Sequence, residues 1–362
     1  MNESECDVYM TAEEAAIVTT GLYILYKQVV VAGLIPVIAL FGILSNGAFL
    51  FVVHRVQEMR TITNVYLCNL AISDTIVLIV GSIHSINTYF DTPIDYTADL
   101  SATWFGCVIP IFTINLCYFA SVYLITLVTF ERFLALCHPI KHHLIKGPWW
   151  TARMIFVAWM LALAMACFTV RYDVIDYICV SWPDKEDSFY GLSPRFSVCT
   201  SHCPWCWKVF QTLDYAQFII SCVCSLGMYF NIIFTLSTRK GIHHSQSKTV
   251  ERTRNQIARM LILNGTVFFL CLAPYELINF DAISFWLTNY RFFTKAQQQY
   301  ILWIGRLATL LNSAVNPILY SITNEPYRKA FADVFGCRGR RSQRVNAKHK
   351  QVVLSISRIT PV

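Results

Sequence analysis

Seven apolar stretches, each long enough to cross a lipid bilayer as a helix, constrain this chain more than any other feature. A crossing takes roughly 20 predominantly apolar residues. The stretches cover about residues 28–54, 62–90, 103–137, 148–171, 206–238, 250–286 and 297–322, frayed helical ends included. Buried helices of a water-soluble core show a one-sided apolar stripe; these runs are too long and too uniformly apolar for that. Composition agrees. Of the 362 residues 55% are hydrophobic and 14% charged, where a soluble domain carries about a quarter charged. The expected fold class is an all-α membrane protein, a seven-transmembrane helix bundle followed by a short amphipathic eighth helix. The chain then divides into an N-terminal segment 1–27, the bundle 28–324, the amphipathic helix 325–336 and a basic tail 337–362.

Charge gives the orientation. The connections after segments one, three and five, with their adjoining helix ends and the tail, hold 21 of the 29 basic residues. The other flank holds seven: Lys27, Arg171, Lys185, Arg195, Lys208, Arg291 and Lys295. Positive residues favour the cytoplasmic side, so the N-terminus is expected outside and the tail inside. The first 27 residues lack the apolar core of a cleavable signal peptide, and Asn2-Glu3-Ser4 offers a glycosylation acceptor. Six cysteines fall outside: Cys6, Cys107, Cys179, Cys199, Cys203 and Cys206. An even number in an oxidising compartment points to bridges, with several pairings open. Cys337 follows the amphipathic stretch and is either a lipidation site or a free thiol. The basic tail beside a membrane helix suits anionic lipid rather than nucleic acid.

Ionisable and amide groups inside the apolar runs are costly and point to function. Asp74 and Asn46 sit mid-segment, and segment seven carries Asn312, Ser313 and Asn316. With Ser121 these offer oxygen ligands to a hard cation, or a hydrogen-bonded network without one. At the inner end of segment three, Glu131 and Arg132 form a charge pair that can be re-paired. Pro274 and Pro317 each remove a helical hydrogen bond and kink their segments, as hinges or as static bends.

These residues carry a resemblance. Asn46, Asn69 to Asp74, Cys107, Glu131-Arg132-Phe133, Trp159, Tyr229, Phe268 with Cys271 and Pro274, and Asn316 to Tyr320 resemble the ordered motifs of rhodopsin-like (class A) G-protein-coupled receptors. The likeness covers all seven segments and leaves out the tails. It implies an allosteric sodium site at Asp74, Ser121, Asn312, Ser313 and Asn316, and no other cofactor. It implies an activation switch of Glu131, Arg132, Tyr229, Phe268, Pro274, Asn316, Pro317 and Tyr320. There segment six swings outward to admit a heterotrimeric G protein, with arrestin and receptor kinase as further partners. A disulfide joining Cys107 to Cys199 is expected to hold the second outer loop over the pocket, in a hairpin over about 172–205. Three positions depart from the pattern: Ser221 where relatives carry proline, Leu272 in place of an aromatic, and Arg254 in place of an acid.

Ile114 stands where amine receptors carry aspartate, and Leu310 where opsins carry the retinal-linking lysine. Neither ligand class is therefore expected, and a peptide is the first choice. Residues 59–64 and 131–140 are similar to those of neuropeptide receptors, loosely the thyrotropin-releasing-hormone and neuromedin-U groups. Pocket candidates are His84, Asn115, Tyr275, Glu276, Asn279 and Arg306. Glu276 and Arg306 either engage ligand or pair with each other. The outer segments carry 13 acids against seven bases, a field that attracts a cation or only aids solubility. A non-peptide ligand is the nearer alternative. A transporter or channel is the rival from another class, and no internal repeat speaks for it. No metal-ligand spacing, nucleophile motif or phosphate loop suggests an enzyme. The pairs His142-His143 and His243-His244 read as solvated loop residues.

Overall fold

Length and apolarity make the elements, and polar residues decide how they pack. The computed structural model describes residues 8–10, 27–91, 104–145, 147–170, 173–180, 195–201, 203–239 and 248–336. A short strand β1 (Val8–Met10) precedes a π-helical stretch, Lys27–Leu34, which runs into α1 (Ile35–Arg55). After a 3-10 turn at Gln57–Met59 come α2 (Ile62–Asp91) and α3 (Trp104–Cys137). A short helix α4 (Pro139–Ile145) leads to α5 (Pro148–Val170). Strands β2 (Asp173–Val180) and β3 (Arg195–Ser201) are followed by α6 (Pro204–Arg239), α7 (Lys248–Thr288), α8 (Lys295–Thr323) and α9 (Glu325–Phe335). The seven long helices are the expected bundle and α9 is the expected eighth helix.

Among the described residues six helices are long and apolar enough to cross a membrane. The seventh, α8, falls short because Gln297, Gln298, Gln299, Arg306, Asn312 and Asn316 interrupt its apolar run. It packs against α7, α1 and α2, and its Asn312, Ser313 and Asn316 are buried against them. Phe41, Leu44, Ile220, Val223, Phe230, Phe234 and Leu270 instead lie exposed on the bundle's outside. In water that would be costly; in hydrocarbon it is the favoured arrangement.

The second outer loop forms the expected hairpin. β2 and β3 pair antiparallel, from Asp173 opposite Ser201 to Cys179 opposite Arg195. β1 adds a third strand, parallel to β2, with Val8 opposite Ile178. This small sheet is the departure from an all-helical chain among the described residues. Cys203 pairs with Cys206, and Cys107 and Cys179 are both disulfide-bonded. Cys6, the side chain of Cys199, and Cys337 lie outside the described residues, so the Cys107–Cys199 pairing and the lipidation of Cys337 are carried forward as proposals.

The core is a continuous set of buried side chains, including Phe49, Leu67, Leu70, Phe119, Ile125, Met260, Phe268 and Tyr320. Close approach of α1 to α2 and α8 depends on Gly42, where an added Cβ would lie 2.5 Å from Leu78 and 2.8 Å from Ala314. The α9 helix docks through Tyr327, which stacks on Phe49 with ring centroids 6.3 Å apart and donates to Asn64 Oδ1. Burial pushes the Tyr327 phenol well above its ordinary range, so it stays a donor. Arg328 donates to the carbonyls of Ser321 and Ile322 at 3.1 and 2.9 Å, satisfying orphan groups at the end of α8.

The outer turn between α7 and α8 is fixed by a carboxylate. Asp281 is buried and accepts from the backbone N–H groups of Phe292 and Phe293 at 2.6 and 3.1 Å. Gln298 Nε2 donates to it at 2.8 Å, and Arg291 sits at 3.5 Å. Thr294 then starts α8 with a reciprocal capping box to Gln297. Asp281→Ala is expected to lower unfolding stability by about 3 kcal/mol, since buried donors lose a charged acceptor. Thermal unfolding of purified protein measures this, and Asp281→Asn should retain part of it.

Candidate functional site

Three buried polar layers follow one another from the outer to the inner end of the bundle. In the outer layer α3, α6 and α7 meet at two carboxylates, Asp214 and Glu276, each 2% exposed. Asn279 Nδ2 lies 3.1 Å from Glu276 Oε2 and 3.2 Å from Asp214 Oδ2. The Tyr118 hydroxyl donates to Glu276 Oε1 at 2.5 Å. Glu276 therefore spends its oxygens on Tyr118 and Asn279 rather than on Arg306, which does not support the Glu276–Arg306 pair. Arg306, exposed on α8, acts electrostatically on His84 and Tyr275. Gly305 brings α8 against Tyr275, whose backbone N would lie 3.3 Å from an added Cβ. Asn115 lies half-buried one turn outward of Tyr118 on α3. Tyr275 lies within electrostatic reach of Asp214 and Glu276 as well as of Arg306, so it connects the carboxylate cluster to Arg306 and His84. Sequence reasoning missed Asp214 and Tyr118. An acid inside an apolar run was the available signal for Asp214, the same one that marked Glu276.

In the middle layer Asp74, 1% exposed, accepts from Asn316 Nδ2 at 2.7 Å, with Ser313 close by. Asn46 Nδ2 donates to the carbonyls of Gly42 and Ser313 at 2.9 and 2.8 Å. Ser121 bonds Ser73 at 3.0 Å, and Ser73 bonds the Cys117 carbonyl. Asn46, Asn312 and Asn316 each keep a buried carbonyl oxygen with no partner among the described residues. A carboxylate with surplus amide oxygens is a donor set that suits a hard monovalent cation.

In the inner layer Arg132 Nε lies 2.9 Å from Glu131 Oε2. His142 Nε2, on α4, lies 3.1 Å from Glu131 Oε1. His142 is therefore not the solvated loop residue expected from sequence; the turn of α4 carries it back onto the bundle. The side chains of His143 and Arg254 differ in standing: His143 is exposed, and Arg254 lies outside the described side chains, as does His243-His244. Tyr229 bonds Thr129 at 3.1 Å, joining α6 to α3. Tyr320 is buried against Phe49 at 5.4 Å, and Phe268 sits edge-on to Phe269 in the core. Pro274 and Pro317 lie inside unbroken helices, between the outer and inner layers.

A family model described as 7 transmembrane receptor (rhodopsin family) matches residues 45–320. The chain belongs to this family. It is 27% identical to the Neuromedin U receptor homolog nmur-2 of Caenorhabditis elegans, over 85% of this chain and 79% of that protein. It is 25% identical to the Thyrotropin-releasing hormone receptor of Gallus gallus, over 88% and 81%. It is also 25% identical to Somatostatin receptor type 2 of Sus scrofa, over 87% and 79%.

One contact in this rhodopsin-family bundle is tight enough to test. A Cβ on Gly265 would lie 1.8 Å from the Tyr229 hydroxyl, so Tyr229 rests directly on the α7 backbone. Gly265→Ala must turn Tyr229 away from Thr129. The expected loss is about 1–2 kcal/mol of stability, with a change in ligand-free nucleotide exchange on an added G protein. Tyr229→Phe removes the closest clash and leaves the ring carbon Cζ at 2.9 Å, so the double variant should recover part of the stability in a non-additive cycle. Strict additivity would contradict the contact.

Proposed function

We propose that this protein is a plasma-membrane receptor that binds an extracellular peptide and activates a heterotrimeric G protein. The observation that carries this reading is the pairing of an outer acidic layer with an inner Glu131–Arg132 pair, joined through one continuous helix, α3, which carries both that pair and Tyr118, the donor to Glu276. A ligand that rearranges the outer layer can move the inner end of α7, because Pro274 weakens the helix between them. Similarity to receptors for neuromedin U, thyrotropin-releasing hormone and somatostatin supports a peptide. The N-terminus faces outside and the tail faces the cytoplasm, with arrestin, receptor kinase and membrane lipid as inner partners. The outer excess of acids favours a ligand of net positive charge.

Arg132 transmits the signal in this reading and does not touch ligand. Screening a neuropeptide library by calcium and cyclic-AMP responses identifies the agonist. Arg132→Ala should then abolish those responses while surface expression and agonist binding persist. Retained signalling in Arg132→Ala removes the assignment, and an ion current without second messengers favours a channel.

The middle layer is proposed to hold a sodium ion through Asp74, Asn312, Ser313, Asn316 and Ser121. An ion favouring the closed arrangement lowers agonist affinity by linkage. Replacing sodium with a large organic cation should therefore raise agonist affinity in the parent. In Asp74→Asn the same replacement should have no effect. Equal sodium sensitivity in both would place the ion elsewhere.

For the outer loop the proposal is a Cys107–Cys199 bridge, which leaves Cys6 for Cys179. Peptide mapping without reduction should recover the fragment joining Cys107 to Cys199. A fragment joining Cys107 to Cys6 or Cys179 would contradict it.

A further inference from the structure

The outer layer has too many acceptors for its donors. Two carboxylates share one amide nitrogen, that of Asn279, and one hydroxyl proton, that of Tyr118, which goes to Glu276. Asp214 Oδ1 is buried and accepts no hydrogen bond among the described residues. One turn outward on the same face of α6, Gln211 is 8% exposed, and its Oε1 is likewise buried without a donor. Adjacent carboxylates cost energy unless a proton or cation joins them, and an unmet buried acceptor adds its own desolvation cost. The walls are aromatic: Phe119 packs edge-on against Phe210 at 6.2 Å and against Tyr118 at 5.2 Å.

We propose that Asp214 and Glu276 form the floor of the ligand pocket and together take one guanidinium group, an arginine side chain at or beside the inserted end of the peptide. This rests on the receptor reading and names the ligand chemistry of its deep subsite. A guanidinium brings five N–H donors, one positive charge and no acceptor, which matches the imbalance. Its planar fork can give one edge to each carboxylate, and its faces stack on aromatic rings. An ammonium is a compact point charge that cannot span two helices in this way. The depth fits a long side chain. Asp214 is ten residues along α6 from Pro204, roughly 15 Å at 1.5 Å per residue. Entry displaces the Tyr118 hydroxyl from Glu276, so occupation of the subsite loosens the contact between α3 and α7.

Thermal unfolding of the full chain in lipid nanodiscs tests this with three probes of similar size that share an α-amino group: argininamide, lysinamide and citrullinamide, whose side chain is uncharged. Argininamide should raise the unfolding temperature saturably. Lysinamide should act at least about tenfold more weakly, and citrullinamide should not act. Asp214→Asn and Glu276→Gln should each weaken argininamide by about tenfold or more, while Asp333→Asn on α9 leaves it unchanged. If Asp214→Asn does not fold, Glu276→Gln and the charge-retaining Asp214→Glu carry the test, the latter keeping argininamide binding. Equal shifts from argininamide and either other probe, no shift from argininamide, or undiminished binding in Asp214→Asn or Glu276→Gln would overturn the subsite. Loss of argininamide binding in a receptor that still answers a peptide removes the subsite alone. Argininamide binding in a receptor that answers no peptide leaves the subsite and removes the reading it rests on.

Discussion

Hydrocarbon offers a polar side chain no partner, and each polar group placed there must find one on another helix. That constraint holds this bundle together. Asn316 on α8 reaches Asp74 on α2 at 2.7 Å. Asn46 on α1 reaches the Ser313 carbonyl on α8 at 2.8 Å, and Trp159 on α5 reaches Asn69 on α2 at 3.2 Å. Apolar side chains gain little by leaving lipid for protein, so these bonds fix the register that packing alone leaves loose. The same constraint explains why incomplete satisfaction matters. Where acceptors outnumber donors, as at Asp214 and the middle-layer asparagines, burial leaves a desolvation cost that no protein donor offsets.

The three layers form a mechanical series. Outer carboxylates join α3, α6 and α7; the Asp74 cluster joins α1, α2, α3 and α8; Tyr229 and Thr129 join α6 to α3 at the inner end. Glu131 is held from two sides, by Arg132 at 2.9 Å and His142 at 3.1 Å. Re-pairing Arg132 therefore has to leave Glu131 with a remaining partner, which keeps the cost of the change modest. Phe268, Leu272 and Phe269, all buried, fill the space between outer and inner layers. An apolar column of this kind transmits displacement because a close-packed core does not compress.

Much of this was legible in the sequence, and for identifiable reasons. Helix length and apolarity gave all seven spans to within a few residues. The segment of α8 was read from the same pattern, and it also carries Asn316 to Tyr320. Asp74 stood out because an acid in the middle of an apolar run is costly and points to function. Residues whose role depends on a partner were less visible. Asp214 gains meaning only beside Glu276 on another helix. His142 reads as solvated until α4 folds it back onto Glu131. The parallel pairing of β1 with β2 joins residues about 170 positions apart with no local signal.

The central claim is that the outer carboxylate cluster and the inner end of α7 are coupled. Tyr118→Phe removes the donor that ties α3 to Glu276 and leaves the inner layer untouched in sequence. Paired spin labels at Arg259, exposed on α7, and Arg153, exposed on α5, report the inner opening by double electron–electron resonance. Coupling predicts that Tyr118→Phe adds a longer-distance population without ligand. A distance distribution identical to that of the parent would contradict it.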